Sequence, residues 1–307
     1  MWPTRQNRCD EIFHELENFS NARRNLPGID ASANARRTLA SQMVASIRRL
    51  EFTQILRSRD IHPDRADPRS KSFDAERAAI WHIRNGNLEE AIWLTFLCTH
   101  FGKHPSYGWR RLQDVYAGSG GLIWSWDRIS QNVDDFESWF RDNEENIGGA
   151  FGNHRKYESI RTDSDRGTVA VVRSYINWVG VGGSQVACFS TLVRDGGNDP
   201  AVLFERFFSE FSIHRFGRLG KFDFLSLVGR LGLAPIEPGI AYLRNATGPL
   251  RGARLLFCGD IDADIEEEIL ENWLCELDED LTVGMQVMED ALCNWQKSPE
   301  VFVHFRG

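Results

Sequence analysis

A short glycine-rich segment between two apolar runs constrains the fold of this 307-residue chain most strongly. Residues 216–222 read FGRLGKF, and apolar side chains recur at helical spacing before the segment, over 200–214, and after it, over 222–231. Two short helices joined by a glycine-rich turn, a helix-hairpin-helix, are therefore predicted. A helix with a glycine cap followed by an ordinary loop is the alternative interpretation of the same pattern.

The predicted turn is suited to hold a phosphate group. Gly217 and Gly220 let the backbone approach an anion closely, and N–H groups at the start of the second helix point toward it. Arg218 and Lys221 add positive charge on the same few residues. These four residues are the predicted DNA-binding residues.

The distribution of charge is compatible with DNA although the net charge is −8. Residues 258–307 contain 14 acids and two bases, a net of −12, which leaves +4 for residues 1–257. Within 200–257, eight bases stand against four acids, so the region around the predicted turn is locally basic. The acidic C-terminal part is predicted to be a solvated loop and helix face.

The sequence carries no sign of a secreted, membrane or metal-binding protein. No apolar run approaches the ~18 residues of a membrane span, and the N-terminus lacks the apolar stretch of a secretory signal. Six cysteines are scattered without a close pair, which does not fit a zinc site or an iron–sulfur loop. We therefore expect reduced, buried thiols in a cytoplasmic protein with no metal and no other cofactor.

Apolar periodicity predicts an almost entirely helical chain. Beyond the hairpin, helices are predicted over 31–57, 74–85, 88–101, 107–116, 134–143, 155–161, 169–179 and 266–277. Two prolines exclude a helix from 61–68, and 180–183 and 194–200 are further breaks. The last break is the predicted boundary between an N-terminal helical lobe, 1–195, and a lobe that carries the hairpin and the acidic part, 196–307.

Four blocks of the sequence resemble a known family. They read FGKH at 101–104, GGAFGNHRKY at 148–157, TGPLRGA at 247–253 and MQVMEDALC at 285–293. These blocks look like the alpha-glutamyl/putrescinyl thymine pyrophosphorylase family, which is assigned to the helix-hairpin-helix DNA glycosylase superfamily, and the resemblance covers most of 50–307. It implies an all-α, two-lobed, DNA-glycosylase-like fold. It also implies double-stranded DNA with modified bases as the partner, with no protein partner evident.

The superfamily resemblance implies a catalytic carboxylate. Excision of a base builds positive charge on the sugar, and an anionic carboxylate must lie where that charge develops. The superfamily places it ~20 residues after the hairpin, and here Glu237 follows Gly220 by 17 residues in a proline-flanked loop. The superfamily residue is usually aspartate, so Glu237 departs from the pattern, and a solvated loop glutamate is the alternative. Asp260 and Asp290 are the rival candidates.

Lys221 is a candidate for a second, nucleophilic role. Bifunctional members of the superfamily attack the sugar with a lysine at the start of the second hairpin helix, and Lys221 is adjacent to that position. Such a lysine forms a Schiff base and needs a pKa lowered by burial or by neighbouring cations. A plain phosphate contact is the alternative role for this side chain.

The four blocks supply candidates for binding a modified base. Cations, imidazoles and amides beside glycine-rich turns are suited to hold phosphate or a bulky base substituent. The predicted substrate-binding residues are Lys103, His104, Asn153, Arg155, Lys156, Arg251 and Gln286. The aromatic candidates for stacking on an extruded base are Tyr107, Trp109, Tyr175 and Trp178. Helix caps, surface charge and core packing are the alternative interpretations of these side chains.

The favoured interpretation of the sequence is a DNA glycosylase that flips and excises a hypermodified pyrimidine from phage DNA. It would leave abasic sites and act in antiviral defence. The first alternative is a transferase that displaces pyrophosphate from hydroxymethyluracil pyrophosphate in DNA and installs an amine or amino acid, a reaction that should need a metal. A non-catalytic DNA-binding module is the second alternative.

Overall fold

The computed structural model describes residues 2–118 and 121–305 and is all-helical, as predicted. Over these residues there are fifteen α-helices, some 3-10 turns and no strand. The helices are α1 (Gln6–Ala22), α2 (Pro27–Asp30), α3 (Ala33–Ser58), α4 (Ala75–Arg84), α5 (Leu88–Phe101), α6 (Arg110–Ala117), α7 (Trp126–Ile129), α8 (Val133–Asn143), α9 (Thr168–Val179), α10 (Gln185–Gly196), α11 (Pro200–Glu210), α12 (Arg218–Leu231), α13 (Gly248–Cys258), α14 (Glu267–Leu281) and α15 (Met285–Trp295).

The chain divides into two compact units that differ from the predicted lobes. The first unit comprises residues up to 53 together with residues from 238 onward, and the second unit comprises residues 54–237. The predicted boundary at 195/196 lies inside the second unit, at the end of α10. None of the helices in the described residues is long and apolar enough to cross a membrane.

Three local predictions differ from the structure. The predicted helix over 155–161 is wrong, because residues 156–167 form turns tied by Ser, Asp and Arg side chains, which compete with helical hydrogen bonds. The run before the hairpin ends its helix at Glu210 and not at residue 214. The TGPLRGA block, which was predicted to supply a cation beside a glycine-rich turn, instead forms the beginning of α13, with a proline in its first turn.

Helix α5 is the centre of the second unit. Its sequence, LEEAIWLTFLCTHF, is apolar on nearly all sides, and all residues from Glu90 to Phe101 are buried. Asn87 caps its N-terminus through the Glu90 N–H, and Gly102 ends it with φ +64°. Helices α4, α7, α10 and α12 pack against it. A helix that is apolar all round requires such coverage, so the hairpin helix α12 is anchored to the core.

An aromatic cluster links α5 to the hairpin and includes Tyr175, one of the residues predicted to stack on a base. The Phe96 ring centroid lies 3.9 Å from Tyr175 and 5.1 Å from Phe216. The Tyr175 side chain is fully buried, and its hydroxyl donates to Gln185 Oε1 at 2.5 Å. Tyr175 is therefore a core residue, and the prediction that it stacks on an extruded base is wrong. Trp178, on the same helix, donates its indole N–H to the Glu210 carbonyl at 2.9 Å.

Two of the sequence blocks form a tightly packed helix pair in the first unit. Helix α13 carries TGPLRGA and packs on α15, which carries MQVMEDALC. A Cβ on Gly248 would lie 2.5 Å from Cys293 Sγ, and one on Gly252 would lie 2.4 Å from the Leu292 carbonyl oxygen. Two glycines four positions apart on α13 therefore let the backbones of α13 and α15 approach closely. This packing accounts for the glycines of the third block.

Acid should destabilise the second unit through two buried histidines. Burial lowers the pKa of His82 to about 4, and burial beside the Arg155 charge lowers the pKa of His100 well below its usual range. The pKa of histidine in an unfolded chain is about 6.5, so below that pH the unfolded chain binds protons that the folded unit does not. Stability is therefore fully present above about pH 6.5 and is lost as pH falls, by up to about 1.4 kcal/mol per pH unit per histidine.

Urea unfolding at about pH 6.5 and about pH 5 would measure this dependence. His82→Gln should lose part of the wild-type decrease, because the titrating group is gone. His14→Gln, at a side chain that is 66% exposed, is the matched control and should keep the full decrease. An equal pH dependence in wild type and His82→Gln would contradict the assignment.

Candidate nucleic-acid and substrate site

The hairpin predicted from the sequence consists of α11, a turn over 211–217 and α12. Gly217 precedes α12 without a side-chain cap, and a Cβ built there would meet nothing within 4 Å. The start of α12 is therefore open on the side of Gly217, where backbone N–H groups and the positive end of the helix dipole favour an anion. Arg218 is the first residue of this helix, and its guanidinium lies 4.8 Å from the Phe222 ring centroid.

Arg155 supports the hairpin turn from inside the second unit. Its side chain is only 6% exposed, and it donates from Nη1 to the Arg215 carbonyl at 3.1 Å and from Nε to the His100 carbonyl at 3.3 Å. Its guanidinium lies 4.5 Å from the Phe216 ring centroid, and a Cβ on Gly220 would be 3.0 Å from Nη1. The predicted substrate-binding arginine is therefore buried beneath the turn.

A glutamate shared by two arginines fixes the same turn. Arg215 lies in the left-handed region, with φ +64°, and its Nε and Nη2 each donate to the Glu158 carboxylate at 3.2 Å. Arg155 Nη2 lies 3.9 Å from the same carboxylate. Burial lowers the pKa of Arg155, and the Glu158 charge acts against that decrease. The ion pairs compensate the buried charge and hold Arg215 in an uncommon backbone conformation.

The two N-terminal blocks meet at a glycine junction. The Gly152 N–H donates to the Phe101 carbonyl at 2.8 Å, and a Cβ on Gly152 would lie 2.8 Å from the Gly102 carbonyl carbon. Only glycine allows this approach, and Gly102 also has φ +64°. The FGKH and GGAFGNHRKY blocks are therefore adjacent in space. Arg155, in the second of these blocks, connects this junction to the hairpin.

Cations and aromatic rings surround the junction. Lys103 Nζ lies 3.5 Å from Asp74 Oδ2 and 5.7 Å from the Trp109 ring centroid. Lys156 Nζ lies 5.1 Å from the ring centroid of Tyr157, which is 67% exposed. Tyr107 is 58% exposed. These cationic and aromatic side chains follow the two junction glycines along the chain within the second unit, and we call them together the junction surface.

Of two further predicted site residues, His104 has a structural role and Asn153 is exposed. His104 Nδ1 accepts hydrogen bonds from the backbone N–H groups of Ser106 at 3.1 Å and Tyr107 at 3.2 Å, so its ring closes the turn that carries Tyr107. Asn153 is exposed at the first position of the 3-10 turn Asn153–Arg155.

A histidine–aspartate pair beside the hairpin was not among the predicted site residues. His154 Nδ1 lies 2.9 Å from Asp223 Oδ2, and the two side chains are 47% and 31% exposed. His154 belongs to the GGAFGNHRKY block, whereas Asp223 lies in α12, 69 positions further along the chain. No sequence pattern indicates this pairing, because only the fold brings the block and the hairpin helix together.

The Lys221 side chain bonds to helix α11. Its Nζ donates to the Phe208 carbonyl at 3.1 Å and lies 5.3 Å from the ring of the same residue. Burial lowers the pKa of Lys221. The ammonium therefore bonds to the last turn of α11. Gly217 is exposed at the start of α12, whereas Gly220 is buried inside α12, so the prediction that the Gly220 backbone lies open to a phosphate is wrong.

Glu237 lies at the opposite end of the hairpin from its turn. Its side chain is exposed, and its backbone N–H donates to the carbonyl of Pro200, the first residue of α11, at 3.2 Å. The eleven residues of α11 span about 15 Å, so about that distance separates Glu237 from the hairpin turn. An apolar cavity of about 380 Å³, lined in part by residues 233–235, lies near Glu237. The structure does not bring Glu237 to the predicted phosphate-binding residues.

The other predicted residues belong to the first unit. Asp260 is exposed and accepts a hydrogen bond from the Asp262 N–H at 3.0 Å in the turn after α13. Asp290 forms an ion pair with Arg49 and accepts a hydrogen bond from Asn294 Nδ2 at 2.9 Å. Arg251 Nη2 lies 3.4 Å from Asp262 Oδ1, and Gln286 is half-buried at the start of α15. Within the described residues, no three His, Cys, Asp or Glu side chains are grouped to hold a metal ion.

The fold and the site define an all-helical protein that presents a helix-hairpin-helix beside a cationic and aromatic surface. The chain belongs to the family alpha-glutamyl/putrescinyl thymine pyrophosphorylase clade 3, whose profile matches residues 34–307. This match confirms the family resemblance and includes all four sequence blocks and the hairpin. The family name describes an enzyme related to thymine modification. Comparison with curated proteins and with solved structures gave no match.

Proposed function

We propose that this protein transfers an amine onto a thymine-derived base in DNA and displaces pyrophosphate. The family name combines thymine, a glutamyl or putrescinyl group and a pyrophosphorylase. Those three terms correspond to the base, the attached amine and the leaving group of a transfer. They favour transfer over the excision that the hairpin by itself indicated.

The proposed reaction balances without an oxidant or reductant. The amine nitrogen attacks the exocyclic carbon of hydroxymethyluracil pyrophosphate, and a C–N bond forms as the C–O bond breaks. The electron pair leaves with the pyrophosphate oxygen. A protonated amine first loses one proton so that its lone pair can attack, and the secondary amine that forms stays protonated near neutral pH. The enzyme must therefore hold DNA, expose the base, neutralise the leaving group and accept that proton.

The observation that carries the proposal is the junction surface beside the open end of the hairpin. The start of α12 and the Lys156 charge are suited to DNA phosphates, while the Lys103 charge, with Lys156 beside the base, suits a pyrophosphate. The exposed rings of Tyr107 and Tyr157 offer planar surfaces on which a flipped base can stack. One unit thus contains groups suited to each part of a modified, pyrophosphorylated nucleotide.

Base excision is the second candidate function, because a helix-hairpin-helix is the DNA-binding element of the glycosylase superfamily. Excision of a phage's hypermodified base would serve antiviral defence. It requires a carboxylate near the sugar, and Asp223 on α12 is nearer to the hairpin turn than Glu237 is. Excision releases a free base and leaves an abasic site, whereas transfer releases pyrophosphate.

The proposal is tested with duplex DNA that contains pyrophosphorylated hydroxymethyluracil. The duplex is incubated with the protein, Mg²⁺ and either putrescine or glutamate, and pyrophosphate and abasic sites are both measured. We expect pyrophosphate release that depends on the amine, without abasic sites. A duplex with ordinary thymine is the control. Abasic sites without pyrophosphate would support excision, and binding with neither product would support a non-catalytic module.

A further inference from the structure

We infer that His154, oriented by Asp223, is the general base that accepts the proton of the attacking amine. This inference rests on the transfer function proposed above and deepens it. The transfer must release one proton, and amines are largely protonated near neutral pH, with a pKa of about 10 for a lysine-like amine. A base near the attacking nitrogen is therefore required, and imidazole is the side chain best matched to neutral pH.

The geometry of the pair assigns the basic nitrogen. His154 Nδ1 lies 2.9 Å from Asp223 Oδ2, within hydrogen-bonding distance. A carboxylate accepts a hydrogen bond, so Nδ1 carries the hydrogen and the neutral ring has its lone pair on Nε2. Aspartate then stabilises the imidazolium that forms when Nε2 takes a proton. The ring is 47% exposed, which makes it accessible to a substrate.

The fold fixes both members of the pair near the phosphate-binding end of the hairpin. Asp223 lies five residues after Arg218, about 7.5 Å along α12 from its start. His154 is the middle residue of a 3-10 turn, between Gly152 at the glycine junction and the buried Arg155. The charge of Arg155 also acts on Asp223. An attacking amine that hydrogen-bonds to His154 Nε2 would therefore lie close to the bound DNA.

A purely structural surface pair is the competing explanation. Exposed ion pairs contribute little to stability, and loss of a purely structural pair would leave catalysis almost intact. His62 offers a matched comparison in the second unit, because its Nδ1 lies 3.5 Å from Asp64 Oδ2 and its side chain is 74% exposed. The two histidines differ in their position relative to the hairpin and the glycine junction.

The test measures the transfer rate of His154→Gln with two amines. With putrescine, which is protonated at neutral pH, we expect kcat to fall by about a hundredfold or more, because a positioned base contributes that much. With trifluoroethylamine, which is unprotonated at neutral pH, the decrease should be much smaller. The KM for DNA and the melting temperature should change little. Added imidazole should restore part of the putrescine rate.

Two further variants sharpen the result. Asp223→Asn should also lower the putrescine rate by more than about tenfold, because an amide no longer stabilises the imidazolium. His62→Gln should retain the wild-type rate. An equal decrease with both amines, no rescue by imidazole, or a His154→Gln rate within about threefold of wild type would overturn the assignment. If the wild-type protein forms no transfer product, the proposed function fails and this inference fails with it.

Discussion

Replacing Arg155 by alanine is expected to lower the free energy of unfolding of the second unit by about 3–5 kcal/mol. The substitution removes a buried cation and leaves the carbonyls of His100 and Arg215 without their guanidinium donor. It also opens a cavity between Phe216 and Gly220. Duplex binding should fall as well, since the same guanidinium holds the hairpin turn.

Urea unfolding gives the free energy, and Arg161→Ala is the matched control. Arg161 is 69% exposed and pairs with Asp163, which is 68% exposed, so its loss should leave the free energy of unfolding almost unchanged. Arg155→Lys should be intermediate, because an ammonium does not reproduce the planar fork of the guanidinium. If Arg155→Ala were as stable as Arg161→Ala, Arg155 would not support the turn.

Combined substitution of Arg218 and Lys156 by alanine should weaken duplex binding more than about tenfold at low salt and reduce the salt slope by about 2. Each side chain is proposed to release a counterion from a phosphate near the open end of the hairpin. Lys221→Ala should change the slope much less, because Lys221 Nζ bonds to the Phe208 carbonyl. Affinity should fall to the same extent for every DNA sequence.

Fluorescence anisotropy at several salt concentrations gives both the affinity and the slope. Glu237→Gln should retain binding, since that side chain lies about 15 Å from the turn along α11. A loss with Lys221→Ala equal to that of the double variant would show that Lys221 leaves Phe208 and contacts phosphate, as its sequence position predicted. Unchanged binding by the double variant would contradict the proposal that the hairpin binds DNA phosphates.

The helices that the sequence predicted well are those whose ends carry local signals. The prediction for α5, residues 88–101, agrees with the structure because Asn87 caps its beginning and Gly102 cannot continue it. The segment 155–161, predicted as a helix, has too few apolar residues to stabilise a helix against the turns that its Ser, Asp and Gly residues favour. Its real constraint is the glycine junction, which depends on contacts with a distant block.

The candidate site was predicted only in part, for the same reason. The signal of Gly217 is local, and its position just before α12 agrees with the pattern. Arg155 occurs in a basic block that resembles a ligand site, yet its partners His100 and Arg215 are 55 and 60 positions away. The pairing of His154 with Asp223 is equally remote in sequence. Long-range contacts decide whether a charged side chain faces a ligand or supports a turn.

Mass spectrometry of nucleosides tests the central claim most directly. Duplex DNA with pyrophosphorylated hydroxymethyluracil is incubated with the protein and nitrogen-labelled putrescine, and the DNA is then digested to nucleosides. The account predicts a labelled putrescinyl-thymidine that increases as pyrophosphate is released and that His154→Gln forms far more slowly. Release of the modified free base, with abasic DNA and no labelled nucleoside, would contradict it.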